Sequence, residues 1–338
     1  MRVKLLAATA IAFLATGAWA QNLNGAGASF PNPIYSRWFS EYAQQHPGAH
    51  INYQSIGSGA GIQQVTQKTV DFGASDGPMS DAQLEAAAKN GVKIIHIPTV
   101  LGAVVPVYNV PGVTQDLRFA PEVIAGIYLG KITYWDDGNL QHDNPGVKLP
   151  HNRILPVYRS DGSGTNYIFT DFLSKVVPDF QKEIGKGTSV KWPGGIGQKG
   201  NEGIAGMVRS TPNAFGYVEL IYALQNHMPF GLVRNASGKY LKASVEGVTA
   251  AAAGAAKNMP ADYRVSITNA PGADAYPISS FTWLLIPQQW PDQAKGKVMV
   301  DFLHWMLDHG EEETTGLNYA PLPKAVADKV RATINEIH

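Results

Sequence analysis

The sequence predicts an α/β protein built as two lobes, and three observations carry that expectation. Short β-branched runs alternate with helical patterns, as in Ile51 to Gln54 before Ile62 to Thr69 and Ile154 to Tyr158 before Asn166 to Val177. Such alternation reads as strands and helices layered around largely parallel sheets. Removing an N-terminal leader of 20 from the 338 residues leaves 318, more than the roughly 250 to 300 at which a single core stops growing. No repeat, charge block or low-complexity linker divides that length, so the lobes are expected to be joined by core strands.

The leader is Met1 to Ala20. It opens with Arg2 and Lys4, runs through the apolar stretch Leu5 to Leu14 and ends in Ala18-Trp19-Ala20, the pattern of a cleavable secretory signal. Its apolar stretch is only about half the roughly 20 residues of a membrane-spanning helix. The chain has no cysteine, so an exported life must rest on a hydrophobic core in place of disulfides, and no thiol follows the signal to carry a lipid. A freely diffusing periplasmic protein is expected. Lys+Arg and Asp+Glu both number 27; without Arg2 and Lys4 the balance is 25 minus 27, or −2. There is no basic field for nucleic acid, and an anion would have to be held by local dipoles and a few placed charges.

Three loops could do that: Gly25-Ala-Gly-Ala-Ser-Phe-Pro31, Ile56-Gly-Ser-Gly-Ala-Gly61 and Tyr158-Arg-Ser-Asp-Gly-Ser-Gly-Thr165. Each precedes a helical pattern, the first with Ile34, Trp38 and Tyr42 on one face, and the second and third each follow a strand. A helix start offers unpaired N–H groups and roughly half a positive charge. Glycine lets the backbone approach an anion, and the hydroxyls of Ser29, Ser58, Ser163 and Thr165 add donors without charge. Any one loop alone is an ordinary helix cap. Three together, one with Arg159, point to an oxyanion, because a guanidinium fork matches it bidentately. Asp161, two residues on, is a partner that could orient Arg159. Val70 to Pro78 reads as a short strand running into a turn with Asp76 at the strand's end, where aspartate beside glycine and proline is ordinary turn chemistry. Ala250 to Ala256, Val298 to Leu307 and Pro323 to Ile337 read as later helices.

These segments together resemble the phosphate-binding protein family of the high-affinity phosphate ABC transporter. The resemblance extends to Asp71-Phe-Gly-Ala-Ser-Asp76, Ile127-Tyr-Leu-Gly-Lys-Ile132 with Trp135-Asp136, Lys191-Trp-Pro193, Gly197-Gln-Lys-Gly-Asn201 and Ala214-Phe-Gly-Tyr-Val218, and covers the mature chain. It implies a type II periplasmic binding protein fold of two α/β lobes joined by two hinge strands, near Leu101 to Pro106 and near Ala275 to Ser280. Lobe I would comprise residues 21–103 and 277–338, and lobe II residues 104–276. Inorganic phosphate would lie in the cleft, held by Ser29, Phe30, Ser58, Asp76, Arg159, Ser163, Gly164 and Thr165, with Phe30 and Gly164 acting through their backbone N–H. The implied partner is an inner-membrane phosphate ABC permease; no cofactor or metal is implied, and the protein would act as a monomer. Two positions depart from the family pattern: Ser29, where threonine is frequent, and Gly59, where a second serine is common.

Other readings are weaker. Gly195-Ile-Gly-Gln-Lys-Gly200 matches a dinucleotide fingerprint, but Lys191-Trp-Pro-Gly stands where a strand should precede it. Neither Ser58 nor Ser163 lies in a Gly-x-Ser-x-Gly elbow and no His-Glu-x-x-His occurs, so an enzyme, such as a secreted phosphatase, is not expected. His96 and His304 read as packed or surface residues. Among oxyanions, sulfate and molybdate remain rivals to phosphate, and Asp76 discriminates: a buried carboxylate accepts a hydrogen bond from a ligand that carries a proton and repels one that does not.

Overall fold

The computed structural model describes residues 21–338, so the expected secretory signal lies outside the described residues. The chain begins with β1 (Gln21–Gly27), α1 (Asn32–Gln45), β2 (Ala49–Ser55), α2 (Ser58–Thr66), β3 (Phe72–Ser75) and α3 (Asp81–Lys89). The long strand β4 (Ile94–Tyr108) leads into β5 (Arg118–Phe119), α4 (Pro121–Tyr128), α5 (Gly138–Asp143), β6 (Leu155–Arg159), α6 (Gly164–Val176) and α7 (Pro178–Glu183). Next come β7 (Ile196–Gln198), α8 (Gly200–Ser210), β8 (Ala214–Glu219), α9 (Leu220–Gln225), β9 (Leu232–Arg234), β10 (Tyr240–Leu241) and α10 (Val245–Lys257). The chain closes with β11 (Ser279–Pro287), α11 (Gln293–Asp308) and α12 (Lys324–Ile334).

Eight strands form one continuous sheet in the order β2-β1-β3-β11-β4-β8-β6-β7. Its two ends are parallel, β1 with β2 and β3, and β6 with β7 and β8. Its middle is antiparallel, where β11 pairs β3 and β4, and β4 pairs β8. The expected largely parallel arrangement therefore holds only at the ends. β4 crosses between the two ends as a bare strand, without the helical return that a parallel pair requires.

β4 explains the continuity. Its residues from Ile94 to Ala103 pair with β11, and from Val104 onward it pairs with β8, so it changes partner between Ala103 and Val104. Apart from Ile95 the strand is buried, as befits a strand covered on both faces. Proline is awkward in a central strand, and Pro98 falls where the register slips between Thr282 and Trp283, leaving Thr99 as the extra residue. That irregularity lies next to the residues described below, as bulges beside functional sites commonly do.

Each end of the sheet has its own aromatic core. On one side α1 buries Ile34, Tyr35, Trp38, Phe39 and Tyr42, and Phe39 meets Phe302 of α11 with ring centroids 5.1 Å apart. The helix stops just ahead of Pro47, which cannot continue it. On the other, Phe169 of α6 stacks on Tyr217 of β8 at 4.0 Å, with Tyr128 edge-on to both. Buried aromatic pairs of this kind add about 0.5 to 1.5 kcal/mol beyond their area, and here they fix α1 and α6, whose N-terminal ends follow Ser29 and Ser163.

Candidate anion-binding site

The three glycine and hydroxyl loops all lie at the carboxyl ends of strands, where open α/β sheets place their ligands. The strands β1 to β3 run opposite to β6, so the loops meet because the sheet curls on itself. Gly164 marks the meeting point. A Cβ added there would stand 2.5 Å from Asp76 Oδ2 and 2.5 Å from Ser58 Oγ. Gly59 and Gly162 also touch backbone to backbone, with Gly59 N–H donating to Gly162 O at 2.8 Å and no room at either for a side chain without displacement. This gives Gly59, one of the two departures from the family pattern, a packing reason.

Ser29 and Phe30 follow β1, a strand the sequence reading missed, and lead into α1. Both are buried, and their carbonyls are tied by tyrosines: Tyr222 donates to Ser29 O at 2.5 Å and Tyr319 to Phe30 O at 2.6 Å. Ser58 is the first residue of α2, after Gly57 at φ +95°, a conformation glycine tolerates. Asp76 follows β3. Its N–H donates to Ser58 Oγ at 3.2 Å, and its Oδ1 accepts from Thr282 of β11 at 2.7 Å. Its Oδ2 is buried and has no hydrogen-bond partner among the described residues. Burial pushes the Asp76 carboxyl up to about 7, against the Thr282 hydrogen bond, the Arg159 charge and the Ser58 hydroxyl.

Arg159 ends β6 and is buried. Its Nε and Nη2 donate to Asp161 Oδ1 and Oδ2 at 2.7 and 2.6 Å, so the orienting role suggested for Asp161 is what the geometry presents. Arg159 Nη1 is buried without a partner among the described residues. Burial works against the Asp161 carboxylate, but Arg159 outweighs it and holds the group below its ordinary range. Ser163 caps α6, accepting from Asn166 N–H at 3.0 Å, and Gly164 and Thr165 form the helix's first turn, where N–H groups have no partner within the helix. All eight residues singled out from the sequence are thus brought to one buried place, rich in donors and with one unpartnered carboxylate oxygen.

The sequence reading missed a second tier. Asn201 lies in the first turn of α8, is fully buried and donates to both Ser29 and Thr165. Glu219, at the end of β8, is fully buried with Oε1 unpartnered, and burial holds its carboxyl well above the ordinary range. Thr282 and Tyr319 complete it. The only sequence signal was that Asn201 ends the quoted segment Gly197–Asn201 and Glu219 follows Ala214–Val218. Gly195–Gly200 contains β7 and begins α8, with no strand ahead of it. His96 is packed: its Nε2 accepts from Met79 N–H at 3.1 Å, and burial lowers it to about 4.

A family model described as a PBP superfamily domain matches residues 15–309. The phosphate-binding protein PstS of Xylella fastidiosa is 42% identical over 311 residues, covering 92% of this chain and 84% of that protein. PstS of Pasteurella multocida is 41% identical, covering 93% of this chain and 90% of that one. The chain belongs to the PstS family. Solved structures agree on the fold: a phosphate-binding protein from Stenotrophomonas maltophilia superposes with a TM-score of 0.71 at 22% identity, over 93% of this chain and 94% of that one. A high-affinity periplasmic phosphate-binding protein, PfluDING, gives 0.73 at 22% identity, over 92% and 93%. PstS membership and this fold agree with the two-lobed type II binding-protein architecture expected from the sequence. Among the described residues no helix is long and apolar enough to cross a membrane.

Proposed function

We propose that this chain binds inorganic phosphate outside the cytoplasm and delivers it to an ABC-type importer. One observation carries the ligand: Asp76 offers a single buried, unpartnered acceptor oxygen, while Arg159 Nη1, the Ser29–Phe30 loop ahead of α1 and the first turns of α2 and α6 offer donors around it. A tetrahedral oxyanion that keeps one proton needs that combination, with one acceptor for its O–H and donors for its other oxygens. Phosphate keeps a proton at neutral pH and sulfate does not. The printed name of the relatives, phosphate-binding protein, supports the same ligand, and the importer partner rests on the family resemblance of the sequence.

The eight residues from Ser29 to Thr165 are proposed as the binding set. The two lobes are proposed as residues 21–103 with 277–338, and 104–276, a division supported by the partner change of β4. Export through residues 1–20 to a periplasmic location, without a lipid anchor, rests on the sequence pattern. A binding role in place of hydrolysis is supported by the names of the relatives and by Ser58 and Ser163, whose hydroxyls face no histidine base in the described hydrogen bonding. Calorimetric titration of stripped protein with phosphate, sulfate and molybdate tests the reading. Saturable phosphate binding with little sulfate or molybdate binding is expected, and no phosphate binding would refute it.

A further inference from the structure

Asn201 lies outside the proposed binding set, yet its backbone N–H and both side-chain donor bonds go to two members of that set. Its Nδ2 donates to Ser29 Oγ at 3.0 Å and to Thr165 Oγ1 at 3.1 Å, and its backbone N–H donates again to Ser29 Oγ at 3.3 Å. Its Oδ1 accepts from Glu219 N–H at 3.0 Å. That last bond fixes which way round the amide stands, since turning it over would set an NH₂ group against an N–H.

A hydroxyl has one donor and two acceptor positions. Both acceptor positions of Ser29 Oγ are taken by Asn201 nitrogens, and an amide nitrogen cannot accept the hydroxyl proton. Thr165 Oγ1 likewise receives and cannot give to Asn201. The protons of both hydroxyls are therefore directed elsewhere; Ser29 lies just ahead of α1 and Thr165 in the first turn of α6. The neighbouring residue works on the same site, because Gly200 N–H donates at 3.3 Å to Asp161, which holds Arg159.

We propose that Asn201 is a positioning residue for anion binding, its amide fixing the Ser29 and Thr165 hydroxyls as donors toward the ligand from the two sides of the cleft. The inference rests on phosphate being the ligand. It assigns Asn201 an effect that passes through those two hydroxyls and disappears without them.

A double-mutant cycle read by phosphate titration of the mature protein tests it. Asn201→Ala should weaken binding by about tenfold or more, the scale of a lost charge-assisted hydrogen bond. In a Ser29→Ala/Thr165→Val background, removing Asn201 should change affinity by less than about threefold. The same loss in both backgrounds would overturn the proposal in favour of a merely structural role, and so would an Asn201→Ala protein that binds as wild type does. If Asn201→Ala does not fold, Asn201→Leu carries the same cycle, since it keeps much of the side-chain volume and removes both side-chain donors without placing a charge beside the anion. Failure of the wild-type protein to bind phosphate would instead refute the functional reading, and this inference with it.

Discussion

Thr282 donates its hydroxyl proton to Asp76 Oδ1 at 2.7 Å, which leaves Oδ2 as the carboxylate oxygen free to face a ligand. Thr282 lies at the register slip between β11 and β4, so the strand irregularity and the orientation of the carboxylate belong together.

That arrangement makes Asp76 the selectivity element. In the wild-type protein sulfate would face an unpaired buried carboxylate, and a site built around a ligand proton rejects an analogue lacking it by up to roughly 10⁴. In Asp76→Asn the repulsion is gone and the amide can offer N–H, so sulfate should compete measurably while phosphate still binds. Competition of labelled phosphate by sulfate in the two proteins at about pH 8, above the value of about 7 so that the wild-type carboxyl is ionised, checks this; equal exclusion in both would remove Asp76 from that role.

The same carboxyl predicts a pH dependence of stability without ligand. Its folded-state value of about 7 lies above the unfolded value of about 3.8, so between these values the folded state binds more protons than the unfolded one. Asp76 therefore contributes a stability that is lost as pH rises from about 4 to about 7. His96, lowered to about 4, acts oppositely, costing stability as pH falls from its ordinary value of 6.5 toward 4. The difference between wild type and Asp76→Asn isolates the first effect: denaturant melts should show the variant gaining on wild type as pH rises to 7. A constant difference would contradict the assignment.

Arg159→Ala removes a cation whose Nη1 has no partner in the protein among the described residues. Charge-assisted hydrogen bonds contribute roughly 1.5 to 3 kcal/mol, so phosphate affinity should fall about tenfold to a hundredfold. Arg37 is paired with Glu313 on the surface, and Arg37→Ala should leave affinity unchanged. Titration calorimetry on the two variants separates a site residue from a general charge effect.

Gly164→Ala should abolish tight binding even though alanine is a better helix former. The added methyl would stand 2.5 Å from both Asp76 and Ser58. The cost falls on the closed cleft, so phosphate should no longer raise the melting temperature, whereas in wild type the rise should follow ligand concentration. A wild-type-like thermal shift in the variant would show that the loops do not meet in the bound protein.

Much of this site was legible in the chain because its parts are local. Gly57-Ser58, Ser163-Gly164-Thr165 and the pair Arg159 and Asp161 each form helix starts or short-range contacts that spacing reveals. β1 was missed because Gln21 to Gly27 has no apolar alternation; its glycines allow close approach, as where Gly25 faces the ring of Phe72. Asn201, Glu219 and Thr282 escaped for a different reason. Their roles depend on partners such as Ser29, 172 residues from Asn201, and Asp76, 206 residues from Thr282, and no local pattern encodes such pairs. The antiparallel middle of the sheet was hidden likewise, since it depends on where β11 returns.

β4 also bears on how the molecule comes apart. Because one strand supplies ladder partners to β11 up to Ala103 and to β8 from Val104, neither end of the sheet can melt without stripping hydrogen bonds from the strand that the other end needs. Opening of the proposed cleft and unfolding of a half would thus be separate events: the first would twist a shared backbone with its bonds intact, and the second would rupture the common ladder.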